Sequence, residues 1–228
     1  MSAPHARPET PVTTRPTCVV VVPVKPPTYG KSRLTGLAAD HRRELAEAFA
    51  LDTVQAAAAT PGVDTVLVVT DDHRFAATVR ALGADVVPDG VSNDLNATLV
   101  QAVAEVERRW PGAVPVVLCA DLPGLRPVEL AGVLGEVKEQ VVAGRAAFVR
   151  DHTGTGTTLY AAPAASFAPS FGIASADRHE AAGAVEVGST ATSVRTDVDD
   201  PHDLEAVLRA GVGPHTARAR EGRATHSG

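Results

Sequence analysis

The stretch Cys18-Val-Val-Val-Val-Pro-Val-Lys25-Pro-Pro-Thr-Tyr-Gly30-Lys31-Ser-Arg33-Leu34 decides the fold. Its continuous apolar run is typical of a strand that is buried on both faces. The loop that follows carries three cations, and two of them are among the three lysines of the chain. Parallel α/β sheets bind ligands at the carboxyl ends of their strands. We therefore expect Lys25, Lys31 and Arg33 to face an anion, and the compact charge of lysine suits phosphate oxygens.

The same loop matches only the end of a P-loop. Gly30-Lys31-Ser32 fits the last residues of the G-x-x-x-x-G-K-[ST] pattern, but Lys25 stands where the first glycine is required. Pro26 and Pro27 also lack the N–H groups that a P-loop directs at phosphates. The sequence therefore favours anion binding by side chains, with a solvated basic loop as the alternative.

Composition limits the class of protein. The chain has 228 residues and a formal net charge of −6, which fit one α/β domain and argue against a general nucleic-acid binder. No apolar run approaches the roughly 18 residues that a membrane span needs, and residues 1–16 lack the apolar segment of a signal peptide. Cys18 and Cys119 lie in apolar runs, as buried thiols of a reducing compartment do. We expect a cytoplasmic protein, and no pattern specifies its oligomeric state.

Apolar runs alternate with helical patterns along most of the chain, which is typical of β-α-β units in a parallel sheet. Strands are expected near 65–70, 84–88, 114–120, 146–150 and 157–161, and helices near 40–60, 72–82, 93–110, 127–142 and 200–210. The two short strands around a Gly/Thr loop change this pattern and predict a mixed sheet. We expect one domain over residues 17–212, between disordered segments at 1–16 and 213–228.

Two acidic stretches contain candidate metal ligands. Asp121 follows an apolar strand and therefore lies at the expected ligand edge of the sheet. If residues 194–199 are extended, Asp197 and Asp199 project from the same face. Two carboxylates that close repel each other unless a cation lies between them or one binds a proton. Mg²⁺ is the natural candidate because it prefers oxygen ligands; a solvated acidic turn is the alternative.

A third group of polar residues is expected to form a second anion site. Gly154-Thr-Gly-Thr157 offers hydroxyl groups and accessible amides, and Phe171-Gly172 precedes Ser175 in a position to cap a helix. A hairpin loop beside a capped surface helix is the alternative that this chemistry leaves open. His179 by itself indicates only a packing or surface histidine.

Taken in order, these motifs resemble the 2-phospholactate and phosphoenolpyruvate guanylyltransferases of coenzyme F420 biosynthesis. The resemblance covers about residues 18–208 and rests on Pro23-Val-Lys25, Gly30-Lys31-Ser-Arg33-Leu34, Ala120-Asp121-Leu-Pro123, Gly154-Thr-Gly-Thr157, Phe171-Gly172 with Ser175, Arg178 and His179, and Asp197-Val-Asp199. It implies a single-domain α/β fold of the nucleotide-diphospho-sugar transferase type. That fold is Rossmann-like, with a mixed, mostly parallel sheet and helices on both faces.

The resemblance also implies roles for individual residues. The GTP triphosphate would be bound by Lys25, Lys31 and Arg33, which with Asp121 would be the catalytic groups. The guanine would lie near Asn96. Mg²⁺ would be held by Asp121, Asp197 and Asp199, and the phosphorylated three-carbon acid by Thr157, Gly172 and Ser175. One position departs from the family: Asp94 replaces the usual glycine before the helix near the base, which weakens the expectation of strict guanine selectivity.

The implied reaction joins GTP to phosphoenolpyruvate and releases pyrophosphate. The phosphate monoester already presents an ionised oxygen as nucleophile, so no general base is needed. Mg²⁺ and the basic loop would neutralise phosphate repulsion and stabilise the leaving pyrophosphate. The product would pass to the next enzyme of the pathway. The open alternatives are 2-phospho-L-lactate as acceptor, another phosphorylated acceptor, a metal-dependent glycosyltransferase, and a nucleotide-binding protein without catalysis.

Overall fold

The structure, a computed structural model, describes residues 18–25, 34, 37–91 and 94–221. The expected disordered segment 1–16 and the cations Lys31 and Arg33 lie outside the described residues. Within these ranges the sheet has seven strands: β1 (Cys18–Pro23), β2 (Thr65–Val69), β3 (Asp85–Val87), β4 (Val114–Leu118), β5 (Ala147–Arg150), β6 (Thr157–Ala161) and β7 (Val185–Glu186). Their order across the sheet is β3-β2-β1-β4-β6-β5-β7.

The sheet is mixed and mostly parallel, as predicted. β1 pairs in parallel with both β2 and β4, and β2 pairs in parallel with β3. β6 follows β5 through a short turn, and a hairpin of this kind pairs its strands antiparallel. β6 also runs antiparallel to β4, and parallel pairing returns at the edge of the sheet between β5 and β7.

Eight helices accompany the sheet in the described part of the chain. They are α1 (Ala39–Ala58), α2 (His73–Ala81), α3 (Leu95–Arg109), α4 (Pro127–Val142), α5 (Ser175–Ala181), α6 (Thr192–Arg195), α7 (Pro201–Ala210) and α8 (Pro214–Glu221). None of these described helices combines the length and the apolar character that crossing a bilayer requires.

The unbroken valine run of β1 is explained by helices on both faces of the sheet. Val20 and Val22 pack in the cluster formed with α1, α2 and α4, whereas Val19 and Val21 pack in the cluster formed with α3 and α5. All four side chains are fully buried. Because side chains alternate along a strand, a strand covered on both sides needs an apolar residue at every position.

The start of α7 agrees with the sequence prediction, whereas the start of α1 differs from it. Asp200 caps α7 and forms a capping box with Asp203, as expected for a helix that opens with Asp-Pro. The helix expected to begin near Asp40 begins one residue earlier, at Ala39, with Ala38 as the N-cap residue. Asp40 lies in the first turn and pairs with Arg43 at 2.6 Å.

The segment after residue 212 differs from the prediction of a disordered tail. Residues 214–221 form α8, and Asp52 of α1 accepts hydrogen bonds from the backbone N–H groups of His215 at 2.9 Å and Thr216 at 2.8 Å. A Cβ at Gly213 would collide with the Asp52 carboxylate, so the chain can approach this closely only as glycine. The anchor escaped sequence reasoning because Asp52 lies 163 residues from His215.

Candidate active site

The carboxylates of Asp121, Asp197 and Asp199 lie together at the carboxyl edge of the sheet. One oxygen of each lies within 4.8 Å of the others. Asp121 follows β4, while Asp197 and Asp199 lie on the irregular segment between α6 and α7. The structure thus brings together the two acidic stretches that the sequence singled out, and their role as metal ligands stays a prediction.

A buried valine orients the second acidic stretch. The Val198 side chain is fully buried, and its backbone N–H donates to the Asp121 carbonyl at 3.0 Å. Because neighbouring side chains on an extended segment point in opposite directions, Asp197 and Asp199 both face away from the core. The extended stretch is shorter than predicted, since Val194 and Arg195 belong to α6.

Thr53 of α1 holds the backbone on both sides of Asp121. Its Oγ1 accepts a hydrogen bond from the Leu122 N–H at 3.1 Å and lies 3.2 Å from the Ala120 carbonyl oxygen. The same hydroxyl donates to the Phe49 carbonyl within α1 at 2.8 Å. A buried helix residue therefore fixes the backbone of the loop that carries Asp121.

His152 links the carboxylate cluster to the start of α7. Its Nδ1 lies 3.4 Å from Asp197 Oδ1 and its Nε2 lies 3.0 Å from Asp203 Oδ1. Burial acts to lower the pKa of His152, but Asp197 and then Asp203 outweigh it, so the pKa is raised. Sequence reasoning missed His152 because no motif joins it to either aspartate, which lie far along the chain.

The charges around Asp197 are crowded. Burial, followed by the carboxylates of Asp121, Asp199 and Asp151, raises the pKa of Asp197 to about 7. Its Oδ1 is buried, and among the described residues its contact with His152 Nδ1 is long, at 3.4 Å. A divalent cation would reverse this repulsion and coordinate the buried oxygen. The all-oxygen donor set fits a hard ion such as Mg²⁺.

Asp151 organises the turn of residues 151–156 between β5 and β6. Its carboxylate accepts hydrogen bonds from the Thr153 hydroxyl at 3.0 Å and from the N–H groups of Thr155 at 3.0 Å and Gly156 at 2.9 Å. A Cβ at Gly156 would collide with the same carboxylate. The Gly-Thr repeat is therefore a tightly bonded turn that leads directly into Thr157.

Thr157 is brought next to α5. Its Oγ1 lies 3.0 Å from His179 Nδ1, and the Ala176 N–H donates to the Thr155 carbonyl at 3.2 Å. Ser175 and His179 are one helical turn apart and both are buried. The predicted group of Thr157, Gly172 and Ser175 thus shares one neighbourhood, because the Ser175 N–H also donates to the Gly172 carbonyl at 3.1 Å.

Ser175 does not cap α5, contrary to the sequence prediction. It is the first residue of the helix, and the N-cap is Ala174, which has a left-handed backbone with φ of 52°. Gly172 also has a positive φ, of 121°, a value that side chains rarely allow. The loop before α5 is therefore shaped by its backbone and not by a serine cap.

Arg150 fastens α5 to the sheet. At the end of β5, its guanidinium contacts Asp177 at 3.1 Å and Glu180 at 2.9 Å, both on α5, and donates to the Gly154 carbonyl at 3.0 Å. A planar guanidinium can make several such bonds at once. The turn and α5 are thereby held as one unit.

Asn96 has a partner that the resemblance did not imply. Its Oδ1 accepts from the Phe171 N–H at 2.8 Å and its Nδ2 donates to the Phe171 carbonyl at 3.1 Å. The amide therefore ties the first turn of α3 to the loop before Gly172, and its contact with guanine stays a prediction. Asp94 caps α3 by accepting from the Ala97 N–H at 3.1 Å, which explains an aspartate at this position.

Lys25 leaves the sheet at the same edge as Asp121. Val21 pairs with Val117, and Lys25 and Asp121 each follow four residues later on neighbouring parallel strands. Lys25 is exposed and lines a small cleft of about 40 Å³ with residues of α1 and α2. The proximity of Lys31 and Arg33 stays a prediction, since both lie outside the described residues.

Comparison with known proteins decides between the nucleotidyltransferase classes. Residues 17–219 match the family model described as "Guanylyl transferase CofC like". The chain belongs to the CofC-like guanylyltransferases. A relative from Streptomyces scabiei is 49% identical over 207 residues, 88% of this chain and 94% of that protein. A relative from Streptomyces coelicolor is 48% identical over 201 residues, 87% of this chain and 93% of that protein. Both are named phosphoenolpyruvate guanylyltransferase.

Solved structures confirm the fold implied by the motifs. A Desulfovibrio desulfuricans protein assigned to the nucleotide-diphospho-sugar transferases aligns with a TM-score of 0.65 at 18% identity, over 91% of this chain and 95% of that one. A Mycobacterium tuberculosis protein solved with manganese aligns with a TM-score of 0.51 at 21% identity, over 85% of this chain and 99% of that one.

In this CofC-like guanylyltransferase, one turn joins the two polar groups. His152 of the turn contacts Asp197 in the carboxylate cluster, and Thr155 of the same turn contacts the start of α5. The turn of residues 151–156 therefore links the carboxylate cluster to the start of α5.

Proposed function

We propose that this chain transfers GMP from GTP to phosphoenolpyruvate, giving enolpyruvyl-diphospho-5′-guanosine and pyrophosphate, as a step of coenzyme F420 biosynthesis. The observation that carries the proposal is the convergence of three carboxylates within 4.8 Å at the ligand edge of the sheet. The names of the Streptomyces relatives support phosphoenolpyruvate as acceptor. The reaction would take place in the cytoplasm, and the product would go to the next enzyme of the pathway.

Asp121, Asp197 and Asp199 would hold the divalent cation, with Mg²⁺ as the proposed ion. The ion would neutralise phosphate charge during the transfer. The burial of Asp197 Oδ1 and the raised pKa of this carboxyl support the assignment. Both indicate that the ionised carboxylate is unfavourable in the folded chain until a cation binds. The M. tuberculosis neighbour, solved with manganese, has the same fold.

The acceptor would lie on Thr157, Gly172 and Ser175, and the GTP triphosphate on Lys25, Lys31 and Arg33. The hydrogen bonds that gather the first three residues around the start of α5 support the acceptor site. The position of Lys25 at the same sheet edge as Asp121 supports the nucleotide side. Asn96 would lie near the guanine, on the first turn of α3 that its amide ties to the loop before Gly172.

The proposed chemistry needs no proton transfer by a side chain. An ionised phosphate oxygen of phosphoenolpyruvate attacks the α-phosphorus of GTP, and the bond from that phosphorus to the bridging oxygen breaks as pyrophosphate leaves. The basic loop would take up the charge that develops on the leaving group. Asp121 and Asp197 would act as ligands of the cation and not as proton acceptors, with His152 holding Asp197 in place.

Pyrophosphate release tests the proposal directly. GTP, ATP and CTP would each be paired with phosphoenolpyruvate, 2-phospho-L-lactate and a sugar phosphate in the presence of Mg²⁺. We expect GTP with phosphoenolpyruvate to react fastest. Release with 2-phospho-L-lactate alone would replace the acceptor, and release with the sugar phosphate alone would replace the reaction. No release with any pair would contradict a catalytic function.

A further inference from the structure

A buried histidine lies directly behind Thr157. His179 has an exposed fraction of 1%, its Nδ1 lies 3.0 Å from Thr157 Oγ1, and its Nε2 lies 2.8 Å from the backbone nitrogen of Ser170. Both ring nitrogens therefore have a partner. The two partners differ in what they can do, since one is a hydroxyl and the other a backbone amide.

The backbone amide decides where the ring hydrogen lies. The Ser170 N–H can only donate, so His179 Nε2 must accept and carries no hydrogen. A neutral imidazole has one N–H, which is then on Nδ1 and points at Thr157. An imidazolium would set a second N–H against that of Ser170. Burial, followed by the charge of Arg178, lowers the pKa of His179 to about 4, in agreement with a neutral ring.

The Thr157 hydroxyl thereby accepts the Nδ1–H of His179 and keeps its own hydrogen for another partner. Its Oγ1 accepts from His179, so the hydrogen of the hydroxyl is left to donate elsewhere. Within the described residues, Oγ1 makes no second hydrogen bond. A hydroxyl whose O–H is free to donate is complementary to an anionic oxygen.

The ring of His179 is held against rotation. It stacks on Tyr160 with a centroid distance of 4.5 Å and meets Phe171 edge-on at 5.5 Å. A flipped ring would place a carbon against the Ser170 N–H and leave a buried donor without a partner, which costs about 1–3 kcal/mol. The Nδ1–H of His179 is therefore directed at Thr157 Oγ1 before any ligand arrives.

We propose that His179 is a positioning residue that fixes the Thr157 hydroxyl as a donor to an anionic oxygen of the acceptor. This inference rests on the proposed function, which places the acceptor on Thr157. His179 acts through Thr157 and does not itself touch the acceptor.

The position of the hydrogen on the His179 ring is tested by a measurement that does not depend on enzyme activity. In protein labelled with ¹⁵N-histidine, one of the eight histidines should remain in the Nδ1–H form from about pH 6 to 8. Its signals are assigned by their loss in His179→Gln. An Nε2–H form or a protonated ring at this position would overturn the inference, whatever the enzyme turns over.

A double-mutant cycle tests the consequence. Thr157→Val removes the hydroxyl, and His179→Gln places an amide near the former Nε2, which keeps a partner for Ser170 but none for Thr157. Thr157→Val should raise the KM for phosphoenolpyruvate about 10- to 100-fold, the usual effect of losing one hydrogen bond to an ion. His179→Gln should raise it by a smaller factor, because the hydroxyl remains and loses only the bond that positions it. The KM for GTP should stay within about twofold. The double variant should be no worse than Thr157→Val, because both changes remove the same hydrogen bond.

Matched variants keep the cycle interpretable. His179→Asn places an amide near the former Nδ1 and should recover part of the loss, whereas the exposed His73→Gln should have no effect. Independent, multiplicative effects of Thr157→Val and His179→Gln would overturn the inference. If the unmodified enzyme releases no pyrophosphate, the proposed function fails, and the ¹⁵N measurement still decides the ring form. Thermal unfolding identifies any variant that fails to fold.

Discussion

The backbone N–H of Val198 donates to the carbonyl of Asp121 at 3.0 Å, and this bond joins two acidic stretches that are distant in the sequence. The Val198 side chain is fully buried in an apolar cluster with Phe49 and Val207. One residue thus fixes the spacing of the stretches and turns Asp197 and Asp199 toward Asp121. The carboxylate cluster is a product of this packing, and its repulsion is the feature that a cation would relieve.

Asp197→Asn should lower turnover at least about 100-fold, because it removes a charged ligand whose metal provides several kcal/mol of charge stabilisation. The folded chain should be at least as stable as before when no metal is present, since the change relieves repulsion from Asp121 and Asp199. Pyrophosphate release and thermal unfolding measure the two effects. Asp200→Asn is the matched control, because asparagine also caps helices and Asp200 caps α7. Near-normal turnover in Asp197→Asn would refute the metal role.

Mg²⁺ should stabilise the protein more at pH 8 than at pH 5. The pKa of Asp197 is raised to about 7 in the folded chain, so without metal the folded state binds more protons than the unfolded state between about pH 4 and 7. The contribution of this group to stability therefore falls as the pH rises through that window. At pH 5 protons compete with the ion for the carboxylate. Unfolding temperatures with Mg²⁺ and with EDTA at both pH values test this, and equal shifts would contradict it.

His152→Ala should weaken Mn²⁺ binding about 10- to 100-fold, the usual effect of removing a partner of a metal ligand. The ring holds Asp197 at 3.4 Å and Asp203 at 3.0 Å, and its loss frees the segment between α6 and α7. Titration calorimetry with Mn²⁺ at constant pH measures the affinity. His73→Ala, at an exposed histidine that begins α2, serves as the control and should bind Mn²⁺ normally.

Gly156→Ala should destabilise the protein and raise the KM for the acceptor, because the new Cβ collides with the Asp151 carboxylate that organises the turn. Gly135→Ala should have the opposite effect on the free energy of unfolding. Gly135 lies within α4, a Cβ there meets no atom within 4 Å, and alanine should stabilise the helix by about 0.5–1 kcal/mol. Chemical denaturation compares the two. A neutral effect of Gly156→Ala would show that the turn can rearrange.

Asp52→Ala should reduce the free energy of unfolding by about 1–3 kcal/mol, since it leaves the N–H groups of His215 and Thr216 without their buried acceptor. Asp40→Ala in the same helix removes only an exposed ion pair and should cost less than about 1 kcal/mol. Urea denaturation measures both. Equal effects would mean that α8 contributes nothing to the stability of the fold.

The local elements of the fold could be predicted because their causes are local. The valines of β1 predict a strand buried on both faces, and Asp200-Pro201 predicts the start of α7, where the carboxylate caps the helix. Local patterns failed where a backbone or a distant partner decided the outcome. Ser175 looked like a cap, but the left-handed Ala174 starts α5; residues 214–221 looked like a tail, but Asp52 anchors them.

In the candidate site, too, the residues could be predicted from the sequence but the contacts between them could not. The acidic residues, the Gly-Thr repeat and their order along the chain were visible in the sequence, and they led to the family. The links between them were not: His152 to Asp197, Asn96 to Phe171, and His179 to Thr157. Each of these contacts crosses between separate elements, and no periodicity or spacing records it.

The sequence alone determined which side chains are available to this enzyme and at which edge of a parallel sheet they emerge, because strand periodicity and turn chemistry act over a few residues. Only the tertiary structure decided how those side chains face one another, which ring nitrogen carries a hydrogen and which carboxylates crowd together. Those properties depend on distances between elements, and packing of the two faces of the sheet sets those distances.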